Sequence, residues 1–239
     1  MAQQKERFLK HGILLNTSDY SLIHDTYDKF NLLEFLRTNG FPWIQTCKTI
    51  DEVIKRIKNK ELRFPLFIKP NCGSGSQDIK KIESIDDLTS SYKDNFIVQE
   101  FMTGQEIGVD VYVDLISGEV ISIFAKKKLK MRAGETDKSI SFKDIALFET
   151  IKRFVKLYGL KGANDIDVFE RDGDYFISEV NPRFGGGYLH AYACGVDFPR
   201  FLINNMNGII NEPNIGDYKE NVYMMKYFDI KTIEGELNE

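Results

Sequence analysis

The sequence lacks the features that would commit it to a membrane, a secretory route or a zinc scaffold. No apolar run approaches the roughly 20 residues that cross a bilayer. The start, Met1-Ala-Gln-Gln-Lys-Glu-Arg7, has no signal-peptide apolar segment. The three cysteines, Cys47, Cys72 and Cys194, are unclustered and have no paired ligand spacing. Free thiols in a reducing, cytoplasmic compartment are therefore expected, without zinc. Repeats, low-complexity tracts and flexible linkers are absent. There is no excess of positive charge: a net charge of −4 argues against general nucleic-acid binding. No Ser-His-Asp or Cys-His set has helpful spacing, so the chain offers no obvious nucleophile. What it does have is 42% hydrophobic residues in 239, enough for one larger domain or two small lobes. The ligand expected on these grounds is small.

The most informative stretch is 162–187. Asp165 to Phe169 alternates polar and apolar, Arg171-Asp-Gly-Asp174 carries turn chemistry, and Tyr175 to Asn181 alternates again before a proline. This predicts a β-hairpin. Side chains on a strand repeat every second residue, so Asp165 and Asp167 share one face of the first strand and Glu179 and Asn181 one face of the second, and their oxygens can converge. Convergent carboxylate and amide oxygens suit a hard cation such as Mg²⁺, and the following Arg183 suits a phosphate held by that ion. The plain alternative is a solvated sheet face. Against it stands the run Asn181-Pro-Arg-Phe-Gly-Gly-Gly187, which calls for close backbone approach or unusual dihedrals.

A second stretch, Phe64 to Asp78, reads as a buried strand ending in Lys69, followed by Gly73-Ser-Gly-Ser76. Glycines let backbone N–H groups approach phosphate oxygens, serines add donors and the lysine adds a point charge. The run is neither a Walker loop nor Gly-X-Gly-X-X-Gly, and taken alone a Gly-Ser loop is usually only a connection.

Glu179-Val-Asn-Pro-Arg-Phe-Gly-Gly-Gly187 resembles the metal-binding signature of the ATP-grasp superfamily, in the branch similar to carbamoyl phosphate synthetase large subunits and related carboxylate–amine ligases. The resemblance implies an α+β ATP-grasp fold across residues 1–239. It expects a small lid lobe at about 48–97 and a larger lobe at about 98–239 with the N-terminal helix of 1–47, the nucleotide cleft lying between the two. It implies ATP and Mg²⁺ or Mn²⁺ as cofactors. Asp165, Glu179 and Asn181 would hold the metal, with Asp167 as the alternative on the first strand, and Arg183 would meet the nucleotide phosphates. Lys29 and Lys69 would reach the phosphates under a mobile cover, Gly73, Ser74, Gly75 and Ser76. Glu100-Phe101-Met102 would form the hinge at the adenine, and Glu106, within Gly-X-Glu-X-X-X-Asp, would accept from the ribose hydroxyls. Arg132 would meet the transferred phosphate, with Lys128 and Lys130 as alternates.

The implied activity is an ADP-forming ligase that turns a carboxylate into an acyl phosphate for capture by an amine. The alternative is a nucleotide-binding partner subunit without turnover of its own. Such ligases carry a preceding α/β domain of about one hundred residues, so a separate chain supplying it is an expected partner, and a homodimer is the expected assembly. Elsewhere the patterning predicts one helix from Thr26 to Asn39, helices at 50–57 and after Ser84, and a strand or helical turn at Gly12–Leu15. It also predicts strands at 79–82, 96–102, 103–114 and 120–125, a helix from Phe142 to Tyr158, two helices across 188–207, and a last strand from Tyr223 to Phe228. The basic run Lys126 to Arg132 reads by composition as a solvated edge strand, and His190 as a packed helix histidine.

Overall fold

The computed structural model describes residues 1–73, 78–132 and 134–233. After a 3-10 turn, the chain forms α1 (Lys5–Lys10), α2 (Tyr20–Tyr27), α3 (Lys29–Thr38), β1 (Thr46–Cys47), α4 (Ile50–Lys58), β2 (Leu66–Pro70), β3 (Lys80–Ile82), α5 (Ile85–Ser91) and β4 (Phe96–Glu100). There follow β5 (Gln105–Val113), β6 (Val120–Arg132), β7 (Glu135–Phe142), α6 (Ile145–Tyr158), β8 (Gly162–Arg171), β9 (Asp174–Asn181), α7 (Tyr188–Ala193), α8 (Phe198–Met206) and β10 (Tyr223–Met225). Among the described residues the strands make two antiparallel sheets, β1-β4-β2-β3 and β10-β7-β6-β5-β8-β9. No described helix is long and apolar enough to cross a membrane.

Each sheet buries one face. In the small sheet, Leu66, Ile68, Ile82 and Val98 pack with Val53 of α4 and Leu88 of α5. In the large sheet, Val109, Val111, Ile121, Ile123, Ile166 and Val168 meet the apolar stripes of α3 (Leu32, Leu33, Leu36) and α6 (Leu147, Ile151, Phe154, Val155). Each such side chain stabilises the fold by about 1.5–3 kcal/mol on burial. The opposite face of the large sheet is covered in part, Tyr112 packing against Phe198 and Phe201 and Phe124 against His190 and Tyr218, and carries polar residues over the remainder.

Local chemistry explains the hairpin and the caps. Asp172 and Gly173 both have positive φ, 56° and 85°, which makes a tight two-residue turn of the primed kind between β8 and β9. Thr49, Ser84, Asp144 and Asp197 cap α4, α5, α6 and α8 by accepting from backbone N–H groups. Gly159 ends α6 at φ 85°.

Four expectations fail locally. Residues 12–15 form neither strand nor helix. The single helix expected over 26–39 is two: Asp28 leaves the helical region to cap α3, and bridges to Cys72 at the end of the β2 segment. The helix expected from Phe142 starts at Ile145, and Phe142 instead ends β7, a strand whose buried residues are largely polar. The basic run is not on an edge strand: β6 lies between β5 and β7. Lys127, Lys130 and Arg132 are exposed as expected, but Lys126 and Lys128 turn inward to carboxylates on neighbouring strands, Lys126 being 1% exposed.

The turn after β5 is tied to the segment beyond α8 through one buried carboxylate. Asp114 accepts from the N–H groups of Ile116, Ser117 and Asn211 and from the side-chain amides of Asn205 and Asn211. Burial works to raise its pKa, but those donors together hold it at about 2. Because its folded value lies below the ordinary 3.8, Asp114 contributes stability that is present above that value and is lost as pH falls toward 2. Urea titrations across this window should show a declining midpoint. Asp114→Asn should be less stable at neutral pH and lose that component of the pH dependence; Asp114→Ala should cost about 2–4 kcal/mol.

Candidate functional site

The polar part of that face opposes the small sheet across a cleft of about 930 Å³. The strand register arranges its chemistry in rows. Asp110 of β5 lies opposite Asp165 of β8, which lies opposite Asn181 of β9. In the next row Lys126 of β6, Gly108, Asp167 and Glu179 stand side by side. A bulge in β9 beyond Glu179 lets Ser178 face the cleft as well, its hydroxyl donating to the Asp167 carbonyl at 3.2 Å.

Gly108 matters because it has no side chain. A Cβ there would sit 3.0 Å from Lys126 Cε and 3.4 Å from Lys128 Cε, so both lysines extend across the space a side chain would fill. Lys126 pairs with Asp110, both fully buried. Lys128 spans Glu106 and Asp167, with its Nζ 2.8 Å from each. Burial opposes the charge on Lys128, but Asp167 and Glu106 outweigh it and hold its pKa above the usual lysine value. Asp165 is raised instead, chiefly by burial and then by Asp110 and Asp167. The glycines after Arg183 are explained by the same crowding. A Cβ on Gly185 would lie 2.7 Å from Asp165 Oδ1, one on Gly186 3.0 Å from Glu135 Cδ, and one on Gly187 3.1 Å from Lys126 Cε.

The other side of the cleft is cationic. Lys29, the first residue of α3, is buried and donates to the Gly73 carbonyl at 2.7 Å. It is placed there because its own N–H and that of Phe30 bond Asn71, just past β2. Lys69, half-buried on β2, has its pKa lowered to about 8, first by burial and also by Lys29, against the opposing pull of Glu179 and Asp167. At the end of the cleft between the sheets lie Glu100, Phe101, Met102 and Phe169.

The cleft therefore brings together Lys29, Lys69, Gly73, Glu100, Phe101, Met102, Glu106, Asp165, Glu179, Asn181 and Arg183. Ser74, Gly75 and Ser76 lie outside the described residues. Arg183 is largely exposed, 3.7 Å from Asp165. Arg132 is not among the lining residues: its guanidinium lies 4.1 Å from the centre of the Phe228 ring, in the segment after β10. From β6 the lining cations are Lys126 and Lys128. Asp110 and Lys126 escaped sequence reasoning as a site pair, although the alternation Glu106-Gly108-Asp110 placed all three on one face. His190 is structural. It is buried, with Nδ1 2.8 Å from the Ser139 hydroxyl and Nε2 3.0 Å from the Val222 carbonyl, and burial lowers its pKa. The thiols of Cys47, Cys72 and Cys194 are free.

Among the described residues no three or more His, Cys, Asp or Glu side chains form a ready-made metal cage. Two carboxylates and an amide on adjoining strands nevertheless fit Mg²⁺, which keeps several waters and takes phosphate oxygens alongside one or two carboxylates.

Comparison with known proteins shows the family and the fold. A family model described as the ATP-grasp domain matches residues 26–187. The carbamoyl-phosphate synthase of Methanobrevibacter smithii is 28% identical over 215 residues, 83% of this chain and 57% of that protein. A D-alanine–D-alanine ligase of Francisella philomiragia is 24% identical over 196 residues, 74% of this chain and 65% of that protein. The chain thus spans less than two thirds of the length of either relative. The biotin carboxylase domain of Hydrogenobacter thermophilus 2-oxoglutarate carboxylase, solved with MgADP, ADP and bicarbonate, matches with a TM-score of 0.76 at 18% identity, over 93% of this chain and 54% of that one. The N5-carboxyaminoimidazole synthetase of Staphylococcus aureus, solved with ADP, gives 0.72 at 15%, over 92% and 60%. With the family match extending over more than half of its length, the chain belongs to the ATP-grasp family and has the ATP-grasp fold.

Proposed function

We propose that the chain is an ATP-dependent ligase. A substrate carboxylate attacks the γ-phosphate of ATP and ADP leaves; an amine then attacks the acyl carbon of the resulting acyl phosphate, losing a proton as phosphate departs. The observation that carries this reading is the meeting of two charge sets across one cleft, Lys29 and Lys69 on one side and Asp167, Glu179 and Asn181 on the other. Phosphoryl transfer is mostly positioning and charge neutralisation, so the protein needs no nucleophile of its own.

In this reading the hinge backbone of Glu100 to Met102 takes the adenine and Glu106 the ribose hydroxyls. Lys29 and Lys69 take the phosphates beneath the small sheet. Glu179, Asn181 and a carboxylate of β8 hold Mg²⁺ or Mn²⁺. Asp167 stands directly opposite Glu179, while Asp165 is hemmed in by Gly185 and Asp110, which favours Asp167 for that place. When bound, the cation offsets charge on the phosphate oxygens. Arg183 and the β6 lysines face the cleft where the transferred phosphoryl would pass, whereas Arg132 points to Phe228. The carboxylate and the amine are small molecules.

Calorimetry with a non-hydrolysable ATP analogue, with and without Mg²⁺, followed by ADP-release assays across carboxylate and amine panels, tests the proposal. Magnesium-dependent binding with ADP release dependent on both substrates is expected. Binding without ADP release from any pair would favour the partner-subunit reading, and no binding would overturn both. Glu179→Gln should leave nucleotide affinity within about threefold but lower turnover about 100-fold, read by comparing calorimetry with steady-state rates. For Lys69, protonated below pH 8 in the free protein, nucleotide affinity should fall as pH rises through about 8. Lys69→Gln should bind more weakly at pH 7 and show no such inflection.

A further inference from the structure

Glu100, the last residue of β4, has both carboxylate oxygens engaged within the protein. Oε1 accepts from the Gln45 N–H at 3.1 Å and Oε2 lies 3.1 Å from Arg171 NH1. The Glu100 N–H in turn donates to the Gln45 carbonyl at 2.9 Å. The same Arg171 nitrogen is 3.5 Å from Met102 Sδ, and the guanidinium lies 4.5 Å from the centre of the Phe176 ring. Arg171 is the final residue of β8, paired with Asp174 of β9 immediately before the tight turn. A second contact reinforces this joint. Gly104, at φ 125°, lies so close to β8 that a Cβ would sit 2.1 Å from the Glu170 carbonyl oxygen. The connection between the two sheets is therefore gripped at both ends by the tip of one hairpin.

Glu100, Phe101 and Met102 line the cleft and Arg171 does not. Resting on the nucleotide reading of that cleft, we infer that Arg171 is a positioning residue for the nucleobase, fixing through Glu100 and Met102 the backbone against which the base is read. Each oxygen of the Glu100 carboxylate accepts one bond within the protein, from Gln45 or from Arg171, which fixes the direction of its remaining lone pairs. Discrimination between a 6-amino and a 6-oxo purine then rests on those lone pairs together with the main-chain donors and acceptors of the connection. Those keep their directions only while the connection is held.

The test is calorimetric titration of the unsubstituted chain, Arg171→Gln, Arg171→Lys and Glu100→Gln with Mg-ATP, Mg-ITP and Mg-tripolyphosphate, after thermal melts establish folding. ITP differs from ATP at the 6-position, and tripolyphosphate has no base. Arg171→Gln should lose about tenfold in ATP affinity, narrow the ATP-to-ITP preference and leave tripolyphosphate binding unchanged. Glu100→Gln should behave alike, carrying the test if Arg171→Gln does not fold, and Arg171→Lys should retain most of the preference. A purely structural role would weaken all three ligands together. An unchanged ATP-to-ITP ratio in folded Arg171→Gln overturns this inference alone. Failure of the unsubstituted chain to bind any nucleotide overturns the reading of the cleft and this inference with it.

Discussion

The constraint on which the site depends is electrostatic: Glu106, Asp110, Asp165, Asp167 and Glu179 share one face of one sheet, and like charges on neighbouring strands repel. Out of bulk water that repulsion is severe, and a buried carboxylate without a partner costs several kcal/mol. Lys126 and Lys128 make the arrangement foldable by crossing over Gly108, the one position in that row without a side chain. Neutralisation is incomplete. Asp110 keeps one buried oxygen without a partner, and the pKa of Asp165 is raised. A face of this kind retains residual affinity for positive charge.

The start of α3 and the small sheet supply the opposite sign. Lys29 reaches the cleft because the chain breaks its helix at Asp28 and restarts it against Asn71, and Lys69 because β2 ends there. Partial burial beside Lys29 lowers the pKa of Lys69, so the cleft is poised for an anion to restore its charge. An anion carrying its own cation would answer both faces at once, which is the physical basis of the metal–nucleotide ligand proposed for this cleft.

Much of this was legible in one dimension. The hairpin of β8 and β9, its Asp-Gly turn and the shared faces of its acidic residues follow from period-two alternation, and the helix start at Ser84 follows from a side-chain oxygen placed before it. Arg132, Lys126 and Lys128 were not separable. Composition makes them equivalent members of a basic run, but bulges in the pairing of β6 with β7 change which side chains face inward. The strand β7 was missed for a related reason: Thr136, Asp137, Ser139 and Ser141 are buried polar residues, which carry no hydrophobic alternation.

By itself the sequence determined the local elements, the acidic hairpin and the lysine-ended strand, because these depend on dihedral preference and side-chain period over a few residues. Only the tertiary structure decided which charges meet. The pairing of Lys126 with Asp110, the span of Lys128 between Glu106 and Asp167, and the grip of Arg171 on Glu100 join residues 16 to 71 positions apart. Such pairs are set by strand register and sheet order, which long-range packing fixes and no local pattern encodes.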